Sequence, residues 1–150
     1  MSVSFMRGRP ALAMVLLFGF ASAAGAAEIG QVKVVKGQVA IERQGKTSPA
    51  TVGTRLQTAD IVRTGSDGSV GITMDDNSLL SAGPNSELSL DRYTFDATTN
   101  QGRLDTSLNK GTLAVISGRI AKQSPDAMTV RTPNAKLCVR GTEFVVSADD

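Results

Sequence analysis

The residues that could act as nucleophiles in this chain have no histidine to activate them, because the sequence contains none. Histidine is the commonest general base in enzymes and a frequent metal ligand. A Ser–Lys pair could replace it, but no motif places a serine beside Lys110, Lys122 or Lys136, and the sequence has no G-x-S-x-G turn. The single cysteine excludes an internal disulfide and a C-x-x-C site. The sequence therefore predicts a protein that is not an enzyme, with no catalytic, cofactor-binding or metal-binding residue.

Asp75 and Asp76 are the acidic pair that could support glycosidase chemistry or calcium binding. Adjacent side chains on a strand point to opposite faces, so the two carboxylates would not converge on one substrate. A calcium loop would need a D-x-[DN]-x-[DN]-G spacing with a distal glutamate, which the sequence lacks. We therefore interpret residues 74–78 as a hairpin turn whose polar side chains cap their own backbone. An enzyme acting on carbohydrate or cell-wall material through Asp75, Asp76 and Asp91 is the remaining enzymatic alternative.

Cys138 is an unpaired cysteine in a predicted strand, residues 136–140. It could be a free thiol that forms an intermolecular disulfide or senses oxidation. It could also be a small, half-buried hydrophobic residue, since cysteine often packs in this way. We favour the second interpretation.

The most distinctive stretch is residues 132–144, near the C-terminal end of the sequence. Pro133 has a restricted φ and holds Thr132 extended, whereas Gly141 allows a bend that a β-carbon would forbid. Arg140, beside that bend, has a rigid fork suited to a carboxylate or to backbone carbonyls. It could recognise a partner, or it could be an internal clamp, for example on Asp60, and we favour the clamp. The structural or interaction motif predicted here comprises Thr132, Pro133, Arg140, Gly141, Thr142 and Phe144.

The elements that would carry these residues are predicted to be short β-strands. Apolar residues alternate with polar ones, and glycine, proline, asparagine or aspartate separates the runs. A small residue followed by apolar residues two and four positions later recurs at irregular intervals, as in residues 30–34, 68–72 and 111–115. We interpret this recurrence as the usual alternation of strands and turns, without an internal duplication. The predicted fold is one all-β domain of mostly antiparallel strands, either an irregular β-helix or roll or a sandwich.

Residues 1–27 are predicted to be a helical signal peptide. Arg7 and Arg9 precede an apolar run over residues 11–21, and the small residues that follow allow cleavage after Ala26 or Ala27. The segment holds two of the 16 basic residues and none of the 14 acidic ones, so the remaining domain, residues 28–150, has no net charge. This balance argues against a nucleic-acid partner. We expect a periplasmic or secreted protein without a stable membrane anchor once the signal is removed.

These residues resemble the FecR-type periplasmic domain, which is known from iron–dicitrate regulators and from stand-alone exported proteins. The resemblance covers roughly residues 28–147. Its motifs are Gly37-Gln38-Val39, Gly53-Thr54-Arg55-Leu56, Asp60-Ile61-Val62-Arg63-Thr64-Gly65, Asp75-Asp76-Asn77-Ser78, Gly83-Pro84-Asn85-Ser86, Gly111-Thr112-Leu113, Ser117-Gly118, Thr132-Pro133 and Val139-Arg140-Gly141-Thr142-Glu143-Phe144.

The resemblance implies an all-β module of the bacterial cell envelope that binds a protein or another envelope component. Adding a partner strand to a free sheet edge is one such binding mode. Two departures from the family pattern stand out: Cys138 replaces a usual glycine, and few residues precede the apolar run where regulators carry an anti-sigma segment. We therefore expect a stand-alone exported module. The alternative is a periplasmic sensory component that works with a separate membrane protein.

Overall fold

The computed structural model describes residues 27–139 and 143–149, most of which lie in strands. Along the chain the elements are β1 (Glu28–Lys36), β2 (Val39–Arg43), β3 (Lys46–Pro49), β4 (Arg55–Gln57), β5 (Ile61–Thr64), β6 (Ser69–Met74), β7 (Leu79–Ala82), β8 (Glu87–Phe95), β9 (Gly102–Ile116), α1 (Arg119–Gln123), β10 (Met128–Arg131), β11 (Lys136–Cys138) and β12 (Glu143–Ala148). Short β-branched and aliphatic runs between turn residues favour this pattern.

The strands form one curled sheet in which β9 belongs to both halves. Its beginning pairs with β8 on one side and β10 on the other, and its end pairs with β7 and β12. We call the set β4-β1-β6-β7-β9-β12 the first half-sheet and the set β3-β2-β5-β8-β9-β10-β11 the second half-sheet. All of these pairings are antiparallel except the one between β9 and β10.

The inner faces of both half-sheets share one aliphatic core. The alternation predicted from the sequence is confirmed where Val70 and Ile72 or Leu113 and Val115 are buried. It is wrong at Val34, which is 48% exposed. A β-bulge between Val32 and Val34 shifts the register there and turns the Val34 side chain outward.

The turn predicted at residues 74–78 joins β6 to β7. Asp75 is exposed and Asp76 is completely buried, so the two carboxylates point in different directions. The carboxylate of Asp76 accepts the backbone N–H of Ser78, as an Asx turn requires. The interpretation as a self-capping turn is confirmed.

The buried carboxylate of Asp60 is held by Arg43. The guanidinium donates from Nε at 2.8 Å and from Nη2 at 2.6 Å, and the backbone N–H of Gln57 donates to the same group. A two-point contact of this kind is specific and strong. Arg140, which we predicted as a clamp on Asp60, lies outside the described residues.

The predicted all-β class is confirmed, and the continuous curled sheet agrees with the roll among the architectures left open. The helical signal peptide was predicted over residues 1–27, and residues 1–26 of it lie outside the described part of the chain. Among the described residues, no helix has the length and apolar character needed to cross a membrane.

Candidate functional site

The first part of the terminal stretch lies in a hairpin of β10 and β11, and β10 pairs with β9. Thr132 closes the connecting turn, because its N–H donates to the carbonyl of Ala135 at 2.8 Å and its hydroxyl accepts the N–H of Ala135 at 3.1 Å. Pro133 is exposed in this turn, where its restricted φ suits the bend. Val139 anchors the far end, since it is buried and donates to the carbonyl of Met128.

The outer face of this region is polar. The register places Arg92, Asp105, Thr129 and Cys138 in one row across β8, β9, β10 and β11. Residues in register on neighbouring strands share a face. Four cations are exposed on and beside this row: Arg92, Arg103, Arg131 and Lys136.

Asp105 is the buried acid at the centre of this face. Arg103 Nε donates to it at 2.8 Å, and the hydroxyl of Thr129 donates to its other oxygen. Burial acts to raise the pKa of Asp105, but the hydrogen bonds from Arg103 and Thr129 and the charges of Arg103 and Arg92 hold the pKa below its ordinary value of 3.8. The guanidinium of Arg103 is therefore already paired with Asp105.

A lowered pKa makes Asp105 a stabilising group only while it is ionised. Its contribution is present above the unfolded-state pKa of about 3.8 and is lost as the pH falls through the lower folded-state pKa. We therefore expect Asp105→Asn to be less stable than wild type at pH 7, with the difference shrinking below about pH 3.8. Urea denaturation at several pH values measures it. Thr129→Val should reproduce part of the effect, and stability profiles that stay parallel down to pH 2.5 would contradict it.

The other three cations of the face differ from Arg103 in their ion pairing. Within the described residues, no acidic side chain forms an ion pair with Arg92, Arg131 or Lys136. A concavity of about 340 Å³ opens between Arg92, Arg131, Asp91, Asp105 and Ser107. The Asp91 carboxylate accepts the Ser107 hydroxyl. We call Arg92, Arg131 and Lys136 the basic cluster, and its chemistry suits carboxylates or other anions.

A larger groove of about 610 Å³ lies over β2, β3 and β5. Arg63 is the charged side chain that lines it, and it already pairs with Glu42 and Glu87. The charge in this groove is therefore compensated within the domain. Within the described residues, no three histidine, cysteine, aspartate or glutamate side chains gather as metal ligands would.

The structure brings only part of the predicted motif together. Thr132 and Pro133 lie in the hairpin turn and Cys138 lies at the end of β11, whereas Phe144 lies on β12, half-buried and in register with Val115. Arg140, Gly141 and Thr142 are outside the described residues. The favoured interpretation of Cys138 as half-buried is wrong, because β11 is an edge strand and leaves the free thiol exposed.

Sequence reasoning missed the basic cluster. Arg92 and Arg131 are 39 positions apart, and only the parallel pairing of β9 with β10 brings them to one face. Lys136 was considered only as a partner for a serine. A local signal existed, since Arg131 and Lys136 flank the turn-forming residues around Pro133, and hairpin pairing places them opposite each other.

Comparison with protein-family models matches residues 60–150 to a family described as FecR protein. No curated protein and no solved structure matches the chain.

Proposed function

The chain belongs to the FecR family, and from this premise we propose that it is a non-enzymatic binding module of the bacterial cell envelope. The family is regulatory and sensory and is associated with the envelope. The composition supports binding rather than catalysis, because the chain has no histidine and offers no activated nucleophile.

The partner we propose is a protein segment that is extended and acidic. It would add a strand to the edge of β11 that no described strand occupies, with main-chain hydrogen bonds supplying affinity. Its acidic side chains would contact the basic cluster, which supplies specificity and speeds encounter. The observation that carries this proposal is the exposed edge strand β11 beside cations that have no ion pair among the described residues.

The geometry of β11 favours this mode. All three of its residues, Lys136, Leu137 and Cys138, are exposed, and within the described residues β11 pairs only with β10. Edge strands of this kind present unpaired N–H and carbonyl groups.

A sensory component that works with a separate membrane protein is the second candidate, favoured by the family itself. An adjacent gene for a sigma factor or an outer-membrane receptor would favour that second candidate.

Capture from envelope extract tests the proposed surface. We expect the tagged double variant Arg131→Glu, Lys136→Glu to recover the wild-type partner at least about tenfold less efficiently, because both charges that attract an acidic segment are reversed. The control is the double variant Lys46→Glu, Lys122→Glu, which makes the same change in net charge at exposed positions elsewhere. Mass spectrometry quantifies the captured partner. Equal recovery by the two double variants would contradict the proposal.

A further inference from the structure

The outer face of the first half-sheet carries a row of uncharged side chains. Pairing registers connect the members of this row across five strands, from β1 through β6, β7 and β9 to β12. We call this row the central row, and its members are Val34, Gly71, Ser81, Ala114 and Val145. The two ends of the row are apolar and prominent, since Val34 is 48% and Val145 is 68% exposed.

Further exposed apolar residues lie beside the central row. Leu79 and Ile116 are in register with each other and are 39% and 43% exposed. Apolar residues scattered singly over a surface need no explanation, but a group on one sheet face marks an interaction site. In the described part of the chain six large hydrophobic residues are exposed, and four of them belong to this face: Val34, Leu79, Ile116 and Val145.

The middle of the central row would allow another surface to approach closely. Gly71, Ser81 and Ala114 carry small side chains, or none, between the two projecting valines. Packed sheets lie about 10 Å apart, and at that spacing the valines at the two ends of the row could contact those of a second face.

The charges at the margins of this face have opposite signs. In the neighbouring row, Gln31 on β1 is in register with Thr73, and Leu79 and Ile116 lead to Glu143 on β12. The Lys33 ammonium donates to Gln31 Oε1 at 2.9 Å, and Arg55 is in register with Gln31 on β4. Arg55 is paired with Glu28 at 3.5 Å, so the uncompensated charge at this end of the row is that of Lys33, whereas the other end carries the carboxylate of Glu143.

We propose that this face binds the same face of a second copy of the chain, about a two-fold axis that runs along the strands. Such an axis exchanges β1 with β12 and places β7 against β7 of the second copy. Val34 then meets Val145 of the other copy, and Lys33 meets Glu143, each contact occurring twice. A face-to-face packing that placed β1 against β1 and β12 against β12 of the other copy would instead bring like charges together.

This surface is distinct from the one proposed for the partner. The basic cluster and β11 belong to the second half-sheet, whereas the central row belongs to the first. Dimerisation and partner capture can therefore succeed or fail independently. A symmetric dimer would present two basic clusters and would increase avidity for a repeated or dimeric partner.

Sedimentation equilibrium of the purified chain tests the dimer. We expect wild type to be dimeric at about 100 μM and Val145→Lys to raise the dissociation constant at least tenfold, because a buried lysine would lack a partner. The matched control is Val52→Lys, since Val52 is 66% exposed but lies in the loop between β3 and β4. A monomeric wild type at this concentration, or equal effects of the two lysine variants, would overturn the proposal.

Charge exchange gives a second test that a folding defect could not imitate. Lys33→Glu and Glu143→Lys should each weaken the dimer several-fold, and combining them in one chain should restore it, because each acid would again face a base of the other copy. Melting temperatures of the four proteins should agree, since both side chains are exposed. Absence of restoration in the double variant would overturn the proposed orientation.

Discussion

Replacing Asp76 by alanine is expected to lower the free energy of unfolding by about 4 kcal/mol. The Asp76 side chain is completely buried and accepts four hydrogen bonds. Ser78 donates twice, from its backbone N–H at 3.1 Å and its hydroxyl at 2.7 Å. The Tyr93 hydroxyl donates at 3.4 Å and the Ile120 N–H at 3.2 Å. Alanine would leave these buried donors without an acceptor.

The size of this effect follows from what Asp76 connects. Its partners lie in the β6–β7 turn, on strand β8 and at the start of helix α1, three segments that are distant in sequence. Its backbone adds two contacts, because its N–H donates to the Tyr93 hydroxyl and its carbonyl accepts the Arg119 N–H. Burial and the charge of Asp76 raise the pKa of Tyr93, which keeps the phenol protonated as a donor.

Urea denaturation at pH 7 measures this prediction. Asp75→Ala is the matched control, since Asp75 is the exposed neighbour in the same turn, and we expect a change below about 0.5 kcal/mol. Tyr93→Phe removes one hydroxyl from the network and should cost about 1–2 kcal/mol. If Asp76→Ala and Asp75→Ala were equally stable, Asp76 would not have the connecting role that we assign to it.

Gly111→Ala is expected to destabilise the fold by about 3 kcal/mol. Gly111 lies where β9 passes from the second half-sheet to the first, with φ of +90°. A β-carbon there would lie 2.1 Å from Ser86 Oγ and 2.5 Å from Ser86 Cα. The Ser86 hydroxyl cannot move aside freely, because it accepts the Thr112 N–H at 3.0 Å.

Gly45→Ala separates the two causes of this destabilisation. Gly45 also has a positive φ, of +76°, but a β-carbon there would have no atom within 4 Å. It should therefore show only the backbone strain, about 1 kcal/mol. Thermal or urea denaturation of both variants compares them directly. Equal destabilisation would show that the close approach of Ser86 contributes nothing.

The residues that form strands could be predicted because strand formation depends on the local pattern of side chains. Alternating apolar side chains favour a half-buried strand wherever the strand lies, so the pattern of residues 111–115 correctly predicts that Leu113 and Val115 share a buried face. The turns at residues 74–78 and 132–135 were likewise predictable, since Asx side chains and proline act on their own backbone.

The binding surfaces could not be predicted in the same way. Val34 faces outward because of a bulge, and Cys138 is exposed because β11 lies at an edge, and neither fact is visible in the local pattern. The basic cluster and the central row depend on which strands are neighbours. Pairing between distant strands is decided by the packing of the whole core, so a sequence pattern identifies the strands without their order.

The sequence by itself determined the all-β class, the family, and the scarcity of groups that could do chemistry, because composition and short-range periodicity are properties of the chain. Only the tertiary structure decided that Asp60 pairs with Arg43, that Asp76 connects three segments, and that β9 carries both half-sheets. The physical reason is that these contacts join residues that are distant along the chain. Their partners are selected by the free energy of one shared core rather than by neighbouring residues.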